Sequence, residues 1–218
     1  MERTSPVLCP TANGAACASA IVRIAERASD AVWRMGTDWY PMAGELARIV
    51  SDRTEVPTRD VLGVIAALSP QVGWAVQCSS LEPFIRAELD APGSGQHAGF
   101  GRNREKARRI LGGWDPDAVL RGPKVRAFFA ALCGDQQSVT VDRHAVAAAV
   151  SWNEGTAPDV TALRFRNVAR HYRHAARMLG SWRTCPRDLQ AIVWLQWRLE
   201  KRGSLVRLPA PGLDGGSA

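Results

Sequence analysis

No stretch of this sequence alternates apolar and polar residues for the length of a useful strand; the best candidate, "SVTV" at 138–141, is four residues. Apolar residues recur instead at the three-to-four spacing of a single helix face, from Ala15 almost to residue 202. That periodicity predicts an all-α fold of roughly ten helices with short connections. The most apolar run lies in "PTRDVLGVIAALSP", which is nearly all hydrophobic from Val61 to Leu68. A helix apolar on every side belongs at the centre of a core. Thr58 is expected to cap it, with Asp60 favourably placed in its first turn.

Turn residues divide the rest. Ile21, Ile24, Ala28, Ala31 and Val32 mark a first helix, which "GTDWYP" is expected to break, so that Pro41 starts a second helix reaching about Val50. Pro70 resets the chain ahead of a helix running to about Glu88. "NREKARRIL" reads as a short basic helix capped by Asn103 and stopped by Gly112 and Gly113. "DPDAVL" adds a turn. "KVRAFFAALCG" follows with Phe128 and Leu132 inward and ends at Gly134. Asp142 then caps "RHAVAAAVSW", and two long helices cover 160–179 and 186–202. Residues 1–14 and 203–218 read as flexible ends. Residues 15–202 read as one two-lobed domain, with one lobe at about 70–140 and the other built from the N-terminal helices plus 142–202.

The net charge of +7 fits a polyanionic partner, most simply nucleic acid. Coding bias toward arginine fits as well, since only Lys106, Lys124 and Lys201 among 28 basic residues are lysines. The five cysteines are scattered without a C-x-x-C pair, so neither zinc nor an iron–sulfur cluster is implied, and a reducing cytoplasm is expected. His171 and His174 lie three apart without an acidic partner pattern, so no metal site and no cofactor are expected. No apolar run approaches the roughly 20 residues of a membrane span, and no secretory leader is recognisable. A monomer with no membrane partner is the expectation. In "RFRNVARHYRHAAR" (164–177), Arg166, Arg170, Arg173 and Arg177 share one helix face. That stripe suits either phosphates or plain solvation.

Lys124 and Asp142 are 18 residues apart, separated by one helix and a turn. A lysine beside a carboxylate can act as an amine nucleophile, with the carboxylate taking a proton or offsetting cationic charge. Equally, Asp142 can be a simple N-cap and Lys124 an exposed first-turn residue. Three segments add context in order: "AALSPQVGW" (66–74), "NREKARRIL" (103–111) and "GPK…VTVDRHA" (122–145). Together they resemble the helix–hairpin–helix DNA glycosylase superfamily, the endonuclease III-like enzymes, over about residues 60–150.

The resemblance implies a two-lobed helix–hairpin–helix glycosylase fold with a cleft between lobes, acting on a modified or damaged base in double-stranded DNA. It makes Lys124 the nucleophile toward the sugar C1′ and Asp142 its activator. It makes Gln71 the wedge at the extruded base and Gly122 the hairpin glycine that meets a phosphate. Arg121, Arg126, Asn103, Lys106, Arg143 and His144 complete the implied DNA-binding set, His144 mainly as a structural partner. Trp39, Tyr40 and Trp74, read as lying beside turns, are candidates to stack on the base. Leu120 stands where the family has its first hairpin glycine, and the family's C-terminal four-cysteine cluster is absent. "QAIVWLQWR" (190–198) resembles bacterial and phage relatives thought to act on hypermodified thymines. Two other readings therefore stand beside excision: group transfer onto a modified pyrimidine such as hydroxymethyluracil, and a DNA-binding module without catalysis.

Overall fold

The computed structural model describes residues 14–150, 160–180 and 182–203. Those residues form ten helices and no strand. In order these are α1 (Gly14–Glu26), α2 (Asp30–Thr54), α3 (Thr58–Leu68), α4 (Trp74–Asp90), α5 (Gly101–Leu111), α6 (Pro116–Val119), α7 (Pro123–Leu132), α8 (Arg143–Val150), α9 (Ala162–Leu179) and α10 (Pro186–Arg202). The fold is all-α. The flexible ends read from the sequence fall outside the described residues, except that Gly14 opens α1 and Gly203 closes α10.

The chain divides into two compact units. One holds the described residues up to Thr37 and those from Gln136 onward; the other holds Asp38–Asp135. The division falls inside α2. In the first unit, α1, α8, α9 and α10 pack on one another. Their shared core includes Ile21, Val146, Tyr172, Leu189, Val193 and Trp197. In the second unit, α3 packs on α4, α5 and α7, and α5 also packs on α4 and α6. Every residue from Val61 to Leu68 is buried, as its unbroken apolar run requires. Burying each large side chain of that run contributes about 1.5–3 kcal/mol.

Three local expectations are corrected. "GTDWYP" does not break a helix: α2 continues through it with Pro41 inside. An added Cβ at Gly36 would lie 2.7 Å from the Ile192 Cα, so this glycine serves close backbone packing rather than a turn. The break comes earlier, where the Val32 N–H donates to Ser29 Oγ at 3.4 Å and the Trp33 N–H to Ser29 O at 2.9 Å. Thr58 does not cap α3; it is the first helical residue, after Pro57, and no side chain caps this end. Asn103 does not cap α5, which starts two residues earlier after Phe100.

Candidate nucleic-acid interface

The turn between α6 and α7 holds the most specific of the expected site residues. Asp115 starts α6 by accepting from the Asp117 N–H at 3.1 Å, and Pro116 fills its first turn. Leu120 closes it with φ −72° and ψ 125°, backbone that any residue adopts, and its side chain is fully buried. Leu120 is therefore unstrained, and its buried side chain anchors the turn. Gly122 takes φ 85° and ψ 144°, which a side-chain-bearing residue avoids, although an added Cβ would meet nothing within 4 Å. Pro123 then opens α7, with its fixed φ suited to a first helical position. Phe129 and Leu132 bury the far side of α7, and the Arg59 guanidinium sits 5.3 Å from the Phe129 ring centroid.

That arrangement leaves Arg121, Gly122, Lys124 and Arg126 exposed around a helix start that no side chain caps. Backbone N–H groups in such a first turn lack intrahelical partners and favour an anion. Phe128 is half-buried rather than fully inward, and packs 6.3 Å from Tyr40.

Gln71 occupies a second turn of the same unit. The Val72 N–H donates to Ser69 O at 3.2 Å across Pro70 and Gln71. Gln71 has φ 65°, a left-handed conformation that such a turn normally gives to glycine or asparagine. Its side chain is exposed. The aromatic candidates fare differently. Trp39 and Tyr40 are buried within α2, not beside a turn, because that helix runs through. Trp39 packs on Trp74 at 5.0 Å between ring centroids. Of the three, only Trp74 at the start of α4 is half-buried; Trp39 and Tyr40 are corrected to packing residues.

The basic residues of α5 sort into two sets. Arg104 turns back to the chain, donating from Nη1 to His97 O at 2.9 Å and Gly99 O at 3.0 Å. Arg108 pairs with buried Glu88 at 3.0 Å, and Glu88 also accepts from the Gly93 and Gly95 N–H groups at 2.8 and 2.9 Å. Arg102, Lys106 and Arg109 instead share a different face, at four- and three-residue spacing. Two exposed aromatics flank that face. The Arg102 guanidinium lies 5.4 Å from the Phe100 ring centroid and that of Arg109 lies 4.3 Å from Trp114. Asn103 is buried, so its expected place at the DNA surface is corrected to a packing role. The sequence reading missed Arg102, Arg109 and Trp114. Their signal was the basic spacing within "GRNREKARRIL" and a tryptophan directly after Gly112–Gly113.

Asp142 belongs to the first unit and Lys124 to the second. The Asp142 carboxylate is half-buried and caps α8, its Oδ1 accepting from the Ala145 N–H at 2.9 Å. Arg143 is exposed and His144 half-buried beside it. Burial first, and then the Asp142 charge, push the Tyr172 phenol far above its ordinary range. The Tyr172 hydroxyl is buried and has no hydrogen-bond partner among the described residues.

A family model described as a family of unknown function (DUF7178) matches residues 8–201. The chain belongs to this family. No curated protein and no solved structure matches it. The DUF7178 match takes in every candidate residue named above. Among the described residues of this DUF7178 chain, no group of three or more His, Cys, Asp or Glu side chains could hold a metal ion. No described helix is long and apolar enough to cross a membrane.

Proposed function

We propose that this chain acts on a base in DNA as a two-lobed helix–hairpin–helix glycosylase, with Lys124 as nucleophile and Asp142 as its carboxylate partner. The observation that carries the reading is the turn at Gly122. A glycine at φ 85° and an uncapped helix start put Lys124 in a first turn whose backbone N–H groups are open to a phosphate.

In this reading Arg121, Arg126 and the Gly122 turn grip the strand, and Gln71 fills the gap left by the extruded base. Flipping costs a few kcal/mol, which those contacts offset. The Lys124 amine, having passed a proton to Asp142, bonds to C1′. The bond from C1′ to the base nitrogen breaks, and the base leaves with that electron pair and takes up a proton. Opening of the sugar ring gives a Schiff base, which water hydrolyses. Asp142, returned to its carboxylate form by giving that proton to the departing base, offsets the positive charge left on the sugar. The outward face of α5, with Lys106 between Arg102 and Arg109, supplies further phosphate contacts.

The test is borohydride trapping on duplexes carrying damaged, methylated, hydroxymethylated or glycosylated bases, with nucleosides followed by mass spectrometry. The expected result is a covalent adduct and a free base on one substrate, both lost in Lys124→Ala. A changed nucleoside still attached to its sugar would replace excision with group transfer. Binding without any product on the whole panel would leave only the DNA-binding module.

A further inference from the structure

We infer that α9 carries a second nucleic-acid contact surface, a four-arginine rail that takes the phosphate backbone of a duplex. Arg166, Arg170, Arg173 and Arg177 follow one another at spacings of four, three and four residues. Over a regular helix they form a single line of about 16 Å. The helix is held at both ends and along its apolar face. Thr161 caps its start by accepting from the Arg164 N–H at 3.3 Å, and Gly180 ends it with φ 92°. Val168, Ala169, Tyr172, Ala175 and Ala176 bury its apolar face in the first unit. Arg173 donates from Nε to Gln137 O at 3.0 Å, which fixes the middle of the line to the segment before α8.

Charge marks this face. α9 contains no acidic residue from Ala162 to Leu179. Several exposed arginines elsewhere find carboxylates: Arg27 with Glu200, Arg48 with Glu45 and Asp52, Arg53 and Arg86 with Glu82, and Arg59 with Asp115 and Asp117. Among the described residues, no carboxylate pairs with Arg166, Arg170 or Arg177, all exposed. Lining up like charges at helical spacing is unfavourable without a partner. A polyanion of regular charge spacing relieves it. Guanidinium forks suit phosphate oxygens, and a duplex presents them along a rigid line. A membrane surface fits less well. An interfacial helix inserts its apolar face, and that face of α9 is already buried.

The rail stands apart from the chemistry proposed at Lys124, so the two are tested separately. The full chain and an Arg166→Ala, Arg170→Ala, Arg177→Ala variant are titrated onto a fluorescein-labelled duplex of arbitrary sequence at several salt concentrations. Alanine favours helix, so α9 should persist, which circular dichroism checks. Arg173 is left in place because of its bond to Gln137. Each lost phosphate contact removes about 0.9 from the slope of log affinity against log salt, so the slope should become shallower by between two and three. The matching triple lysine variant should restore it. The duplex carries no target base, so this slope does not depend on whether the chemistry proposed at Lys124 occurs. A triple alanine variant with the wild-type slope overturns the rail, as does a wild-type chain that shows no salt-dependent binding. Loss of binding to phosphatidylserine vesicles with the DNA slope intact overturns it in favour of a membrane surface.

Discussion

The Oδ1 of Asp142 accepts a hydrogen bond from the Ala145 N–H at 2.9 Å, so the carboxylate proposed to assist the nucleophile is also the N-cap of α8. The two roles separate by substitution. Asparagine caps a helix about as well as aspartate, whereas alanine costs roughly 1 kcal/mol. Asp142→Asn should therefore unfold within a few tenths of a kcal/mol of wild type, and Asp142→Ala about 1 kcal/mol below it. Both should lose trapping, because neither offers a carboxylate. Urea melts and borohydride trapping on one substrate measure the two roles. An Asp142→Asn variant that is still trapped would reduce Asp142 to a cap.

The α6–α7 turn sets a stability prediction for Leu120 and Gly122. Placing glycine where the resemblance expects one, by Leu120→Gly, should destabilise the chain. It removes a fully buried leucine, and truncation of such a side chain to alanine alone costs about 2–5 kcal/mol. Gly122→Ala should cost about 1–3 kcal/mol, since φ 85° and ψ 144° strain any side-chain-bearing residue. An added Cβ there meets nothing within 4 Å, so the loss would come from the backbone alone. Denaturant midpoints decide both; a Leu120→Gly chain as stable as wild type would show that the leucine anchors nothing.

Most of the fold was legible because apolar spacing reports a helix face directly. The run from Val61 to Leu68 read as central and is wholly buried. Asp142 read as a cap and is one. What misled was residue identity without its tertiary setting. Gly36 and Pro41 look like breakers, yet the glycine permits close approach to Ile192 and the helix carries the proline within it. The true boundary had a local signal, Ser29 followed by Asp30, which caps as serine does. Asn103 resembled a cap and a DNA contact but is buried, because α5 begins at Gly101. The sites were legible only as residue types. Which of the α5 arginines face outward depends on Glu88 and on the His97 and Gly99 carbonyls, and no spacing in the sequence encodes those partners.

Gln71 tests whether its strained turn has a use. A non-glycine residue at φ 65° costs roughly 1 kcal/mol, and the exposed side chain returns nothing visible to the fold. Gln71→Gly should raise stability by about that amount while removing the proposed wedge. Gln71→Ala should remove the wedge and keep the strain. Both should weaken base extrusion, read as a smaller rise in 2-aminopurine fluorescence when the probe occupies the target position. Unchanged fluorescence in both variants would leave the conformation without a role at the DNA.

His97 gives the second unit a defined acid sensitivity. It is buried against Phe84 at 5.9 Å between ring centroids, and its Nδ1 accepts from the Gly99 N–H at 3.0 Å. Burial, and then the charge of Arg104, hold it below its ordinary value. A proton on Nδ1 would also set a donor against the Gly99 donor. The folded state thus binds the proton less readily than the unfolded chain, whose histidine titrates near about 6.5. Stability is full above that value and falls as pH drops through it, until the folded form also takes the proton. The slope is at most about 1.4 kcal/mol per pH unit for each such histidine. His171 adds in the same direction, lowered by burial and then by Arg170 and His174. The carboxylates held low by arginines, Glu82 and Glu200, act only below about pH 4.3. Urea midpoints between pH 8 and pH 5 should therefore fall, and His97→Gln should flatten the decline without abolishing it, whatever its own effect on stability at pH 8. A His97→Gln chain with the full wild-type slope would assign the acid sensitivity to His171 alone.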